Sequence, residues 1–92
     1  MLQSLERLKV FYYVFSEKSV VAAAKTLHVS QSAVSQALQK FENEIKCPLF
    51  TRLHKRLVPT AAGERLFAVI RPFMAELDAC LKTLKKIGRA HV

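Results

Sequence analysis

The sequence predicts a mainly α fold: a three-helix bundle carrying a short β-hairpin, followed by one long helix. Three observations lead there. Apolar residues recur at helical spacing in three separate stretches, around Phe11, around Leu38 and from Leu66 onward. Ser or Thr stands immediately before each predicted helix, where its oxygen can accept from a free backbone N–H. Between Ile45 and Gly63 the helical period is lost, and two short runs flank a basic turn.

Ser4 is the expected cap of a first helix running to about Glu17, with Leu5, Leu8, Phe11, Tyr12 and Phe15 on its core face. Ser19 caps a short second helix, 20–27, in which Ala23, Ala24 and Leu27 permit close approach to a neighbour. His28 and Val29 form a turn. Ser30 then caps a third helix, from Gln31 to about Ile45. That helix is two-sided: Val34, Ala37, Leu38, Phe41 and Ile45 make one stripe, and Ser32, Ser35, Gln36, Gln39, Lys40 and Asn43 the other. Its acids, Glu42 and Glu44, come only at the carboxyl end.

Residues 48–52 and 56–59 read as two strands around Leu53-His54-Lys55. Lys46, Arg52, Lys55 and Arg56 lie between Ile45 and Gly63, with no acid among them. So short a hairpin is unstable alone and must pack on the helices. Thr60 caps the last helix, Ala61 to about Lys86. Leu66, Ile70, Phe73, Leu77, Cys80, Leu84 and Ile87 alternate spacings of four and three, a heptad seam that Phe67, Met74 and Leu81 widen. Pro72 lacks an N–H and is expected to bend this helix. The tail 87–92, IGRAHV, leaves two readings open. It resembles the translated read-through of a sequencing adapter, which would make the chain a fragment of a longer one, or it is a frayed native terminus.

The chain has 92 residues, enough for one domain with a modest core. Fifteen Lys and Arg against seven Asp and Glu give a net charge of +8, which draws the chain to polyanions. Cys47 and Cys80 are far apart, with no Cys/His spacing for zinc, and fit a reduced cytosolic setting. Two glycines exclude a glycine-rich phosphate loop. No nucleophile–base pairing is visible among the scattered His28, His54 and His91. The sequence therefore points away from an enzyme, a metal site or a cofactor. No run of about 18 apolar residues occurs. The basic residues cluster on the hairpin and tail instead of along one helix face, which disfavours a membrane-surface role.

A helix entering the major groove needs short polar side chains near its amino end, so that its backbone can come close. Ser30, Gln31, Ser32, Ser35, Gln36 and Gln39 meet that need. Gln can pair bidentately with adenine, and the free N–H groups of the helix can hold a phosphate. Lys40, Arg52, Lys55 and Arg56 would neutralise the DNA backbone and set register. Double-stranded DNA is the expected partner. The competing reading is a helical interaction module, its seam binding a partner helix and its charge incidental.

These residues bring a family into view. Leu8, Phe11, Val14 and Ser19; Ala23, Ala24 and Leu27; Ser30-Gln31, Ala33-Val34-Ser35 and Leu38; Glu42; Pro48-Leu49-Phe50, Arg52 and Arg56; and Thr60, Ala62 and Gly63 form an ordered set. From about Leu5 to Lys86 the chain resembles the amino-terminal winged helix-turn-helix domain and linker helix of LysR-type transcriptional regulators. The resemblance implies a DNA-binding unit over residues 1–59, with its helix-turn-helix at about 20–39 and its wing at about 48–59. It implies a dimerisation helix over 60–86. Its third helix would read the major groove, its wing would touch the adjacent backbone or minor groove, and Leu66, Ile70, Phe73, Leu77, Cys80 and Leu84 would pair two protomers antiparallel. The family's effector-binding domain has no counterpart here, so no small-molecule effector site is expected within this chain.

The chain departs from the family in four places of note. Ser32 stands where Pro is common and Gln36 where Arg is common, and that second change favours adenine over guanine. Lys18 and Lys46 stand at helix ends where Gly is usual. If both sites are left-handed, each Lys costs on the order of 1 kcal/mol relative to Gly. Positive charge at a helix carboxyl end offsets roughly 0.3–1 kcal/mol of that. Cys80 lies in the seam, where a small packed hydrophobe is favoured over a redox cross-link.

Overall fold

The computed structural model describes residues 2–90, and side chains over 5–87. The element order is α1 (Leu2–Glu17), α2 (Val20–Leu27), α3 (Gln31–Ile45), β1 (Phe50–Leu53), β2 (Arg56–Pro59) and α4 (Ala61–Ala90). This is the winged helix-turn-helix arrangement: α1, α2 and α3 pack together, β1 and β2 form the wing, and α4 leaves the body as a 30-residue helix. At 1.5 Å per residue such a helix spans about 45 Å, in keeping with a longest molecular dimension of 50 Å.

Local chemistry sets the element starts. Ser19 Oγ accepts from Ala22 N at 3.1 Å and Ser30 Oγ from Ala33 N at 3.0 Å. Thr60 Oγ1 accepts from Gly63 N at 3.0 Å and donates to the Pro48 carbonyl at 2.7 Å. One threonine thus caps α4 and ties it to the segment entering the wing. The first helix differs from expectation: it begins at Leu2, so Ser4 lies inside it and is not its cap. The ends of α1, α2 and α3 share one device. Lys18, His28 and Lys46 have φ of 55°, 59° and 57°, the left-handed conformation that turns the chain out of a helix. Both departures from Gly therefore fall on left-handed backbone.

The wing is tighter than its sequence suggests. Leu53 pairs with Arg56, so β1 takes in Leu53 and the turn is only His54-Lys55. Both turn residues have positive φ, 51° and 65°, as a two-residue hairpin with the right-handed strand twist requires. Pro48 and Leu49 precede the strand instead of forming part of it.

The core is Phe11, Val14, Ala23, Ala24, Val34, Leu38, Phe41, Leu49 and Ile70. Aromatic rings join its parts. Phe11 lies 6.3 Å from Phe41 of α3 and 5.5 Å from Phe50 of the wing, between ring centroids. Phe15 is 6.2 Å from Phe50 and stacks on Phe67 of α4 at 3.9 Å. One face of α1 therefore holds α3, the wing and α4 in fixed relation. Two residues assigned to apolar stripes lie outside that core. Leu5 is 57% exposed and Ile45 is 43% exposed, because each sits at the end of its helix beyond the reach of the neighbouring elements.

The long helix divides. Ile70 is buried, and Leu66, Phe67 and Met74 are half-buried against the bundle. From Phe73 on, Leu77, Leu81, Leu84 and Ile87 are 42–59% exposed, and Cys80 is exposed with them. Leu66 and Ile70 thus serve the core of their own chain, and the open part of the seam starts at Phe73. The helix is continuous through Pro72 and extends past Lys86 into the tail, whose His91 and Val92 lie outside the described residues. Across from α4, burial raises the Tyr13 phenol above its ordinary value, and the charge of Asp78 adds to the effect.

Gly63 explains itself by space. Its φ is not positive, but a Cβ there would collide with the Leu49 carbonyl oxygen and stand 3.2 Å from the Leu49 carbonyl carbon. That oxygen accepts from Thr60 N at 3.0 Å, so it has little room to retreat. Gly63→Ala is expected to lower stability by about 1–3 kcal/mol, the usual cost of overpacking. A urea-unfolding midpoint equal to that of the parent would refute this.

Candidate nucleic-acid interface

The helix-turn-helix is α2, the turn at His28-Val29 and α3. Val34, Leu38 and Phe41 are buried and fix the rotation of α3 about its axis. That rotation turns Ser32, Ser35, Gln36, Gln39, Lys40 and Asn43 outward, all of them exposed. Gln31 and Ser30 are exposed at the amino end. The Ser30 hydroxyl oxygen is engaged in the cap, which leaves Gln31 and Ser32 as the first free polar side chains of the helix.

The acids of α3 are held away from this face. Glu42 reaches across to the wing and accepts from Leu49 N at 2.6 Å and from Phe50 N at 3.2 Å. Glu44 pairs with Arg7 of α1 at 3.1 Å. Glu42 has a positioning task that its place in the sequence did not disclose. It orders the chain entering β1, and so sets where Arg52, Lys55 and Arg56 stand relative to α3. The only available signal was its presence in the family-like set, with no local pattern to mark it.

A cleft of about 930 Å³ opens between the α1–α2 junction, the amino end of α3 and the wing. Gln31 and Ser35 line one side, and Arg52, Lys55 and Arg56 line the other. Ser30, Ser32, Gln36, Gln39 and Lys40 are not part of its wall and lie along the outward face of α3. The ten candidate residues thus fall into two sets, five that line the cleft, three of them cations of the wing, and five along the outward face of α3. Lys18 belongs to the first and was not among the candidates. Among the described residues, the cleft lining with Lys18 holds four cations and one acid, Glu64. Such a concentration of positive charge attracts negative charge at close range.

Among the described residues no three His, Cys, Asp or Glu are placed to hold a metal ion, and no helix is long and apolar enough to cross a membrane.

Residues 5–64 match the description of the bacterial regulatory helix-turn-helix proteins of the lysR family. The chain is 39% identical, over 97% of its length, to the RuBisCO operon transcriptional regulator of Allochromatium vinosum, of which it covers 30%. It is 33% identical, over 92% of its length, to the transcriptional regulator PgrR of Escherichia coli, of which it covers 28%. The chain thus spans less than a third of the length of these relatives. Among solved structures, a probable transcriptional regulator from Pseudomonas aeruginosa superposes with a TM-score of 0.78 at 31% identity, over 87% of this chain and 27% of that one. The DNA-binding domain of BenM, in complex with catB site 1 DNA, superposes with a TM-score of 0.75 at 25% identity, over 91% of this chain and 94% of that one. The matched segment contains α2, α3 and the wing whole, the elements that build both the polar face and the basic cleft, and the chain belongs to the lysR family of bacterial regulatory helix-turn-helix proteins.

Proposed function

We propose that this chain is the sequence-specific DNA-binding module of a bacterial transcription regulator, with α3 in the major groove and the wing on the adjacent backbone. The observation that carries this reading is the pairing of an acid-free polar face on α3 with a four-cation cleft beside it. The first offers hydrogen bonds to base edges, and the second neutralises phosphates. A DNA complex of a like-folded domain supports it.

Two copies make the working unit in this proposal. Phe73, Leu77, Cys80, Leu81, Leu84 and Ile87 leave a continuous apolar strip open on α4. Pairing of α4 with a second copy would cover that strip and set two reading helices on an imperfect palindrome. In this division residues 1–59 read DNA, and 60–86 pair. The same strip favours the other reading, a module that binds partner helices and ignores DNA. Binding to random-sequence duplexes separates the two, because only the first predicts protection of DNA and a steep loss of affinity with salt.

The two residue sets have separate expected effects. Gln31→Ala or Gln36→Ala relaxes sequence preference by roughly 1–3 kcal/mol for each bidentate pair removed. Arg56→Ala weakens binding to all sequences about equally and flattens the salt dependence. Binding-site selection from random DNA, run on each variant, gives the comparison. Identical selected sites and identical affinity losses for all three variants would show the division between base readers on α3 and phosphate binders on the wing to be wrong.

A further inference from the structure

We propose that Lys18 is a phosphate-contacting residue of the cleft, kept at a backbone position that its side chain destabilises. The inference rests on the DNA-binding reading above and adds a contact to it. Two independent observations meet at this residue. The first is place: Lys18 lines the same cleft as Gln31, Ser35, Arg52, Lys55 and Arg56, on the side formed by the α1–α2 junction. It is exposed, and among the described residues no carboxylate stands within ion-pair distance of it. The second is strain: its φ is 55°, in the left-handed region where a Cβ crowds the neighbouring carbonyl and glycine is preferred. A residue held against such a preference is a candidate for function, since nothing in its packing calls for the side chain.

Lys46 supplies the internal control. It has the same side chain, the same conformation, with φ of 57°, and the same position at the end of a helix. It does not line the cleft. Left-handed backbone is common to both lysines, and of the two Lys18 is the one in the wall of the cleft. Ser19, the cap of α2, directly follows Lys18, so a phosphate held at that helix end would meet the Lys18 ammonium on one side and Arg52 and Arg56 on the other. Lys18 thereby extends the basic wall from the wing to the opposite lip of the cleft. A DNA strand passing between them would be gripped from both sides, instead of from the wing only.

The test uses the full chain and a mixed-sequence duplex, because phosphate binding does not depend on an operator. Affinity is measured over a salt series, and thermal midpoints are measured alongside, for Lys18→Gly, Lys18→Gln, Lys46→Gly and Arg56→Ala. Lys18→Gly and Lys46→Gly both raise the midpoint, since both relieve left-handed backbone. Of the two lysines, only Lys18 weakens binding when replaced, roughly three- to tenfold at about 0.1 M salt, with a salt slope lower by about 0.9 for each phosphate that is no longer neutralised. Lys18→Gln loses affinity without gaining stability, which separates the charge from the strain. Parent-like affinity and slope in both Lys18 variants, with Arg56→Ala weakened, would overturn the assignment of Lys18 alone. Equal loss in Lys46→Gly would overturn it too, by showing a general charge effect. A parent chain with no salt-dependent binding would instead overturn the DNA-binding reading on which the assignment rests.

Discussion

Phe11→Ala is expected to lower the stability of the chain by about 3–5 kcal/mol, the range for removing a buried aromatic ring. A domain of this size has roughly 5–14 kcal/mol in total, so the loss takes from about a fifth of that stability to all of it. The reason lies in how many elements share the ring. Phe11 is fully buried and packs against Phe15 of its own helix, Phe41 of the recognition helix and Phe50 of the wing. Its loss removes the common surface on which α3 and β1 are seated. Leu5→Ala provides the contrast. Leu5 is on the same predicted stripe but 57% exposed, and its truncation costs less than about 1 kcal/mol. Chemical denaturation of both variants reads the difference. Similar losses at the two positions would mean that the α1 face is packed otherwise than described.

Glu42→Ala is the second large effect, at about 2–4 kcal/mol, because it leaves two backbone donors without their acceptor. One of them belongs to Leu49, which is 1% exposed, so water does not readily replace the carboxylate there. The functional loss should exceed what stability alone explains. With Leu49 and Phe50 released, β1 loses its anchor to α3, and Arg52, Lys55 and Arg56 lose their fixed distance from the reading face. Duplex binding, measured where the variant remains folded, should fall with a shallower salt dependence. Glu42→Gln keeps an acceptor oxygen and should recover most of the folding and part of the binding. A Glu42→Ala chain that binds DNA with the parent's affinity and slope would show that the wing needs no such anchor.

These two residues show where sequence reading reaches and where it stops. Helix caps were legible at Ser19, Ser30 and Thr60, because a cap is an interaction within three residues. The two-sided character of α3 was legible because helical periodicity assigns faces, and the wing because the period changes after Ile45. The family was legible from an ordered set of small, apolar and basic residues at fixed spacings. The match over residues 5–64 bears that out.

Burial was not legible to the same degree. Leu5 and Ile45 follow the apolar period as faithfully as Phe11 and Phe41, yet they remain exposed. Periodicity states which face is apolar and says nothing of how far the neighbouring surface extends. The seam of α4 shows the same thing: Leu66 and Ile70 meet their own bundle, while Phe73, Leu77 and Leu84 do not. Glu42 gave no local sign of its reach to Leu49 and Phe50, seven and eight residues on.

The sequence by itself determined the helices, the caps of α2, α3 and α4, the wing and the kinship of the chain, since each depends on residues close together or on a pattern of spacings. Only the tertiary structure decided which polar and charged side chains share a surface. It placed Lys18, the Gln31–Ser35 edge of α3 and the wing cations around one cleft, and it turned Glu42 and Glu44 to structural duties. The physical reason is that charge and hydrogen bonding act through space over a few ångströms. Residues from three elements become neighbours only when the shared aromatic core brings those elements together.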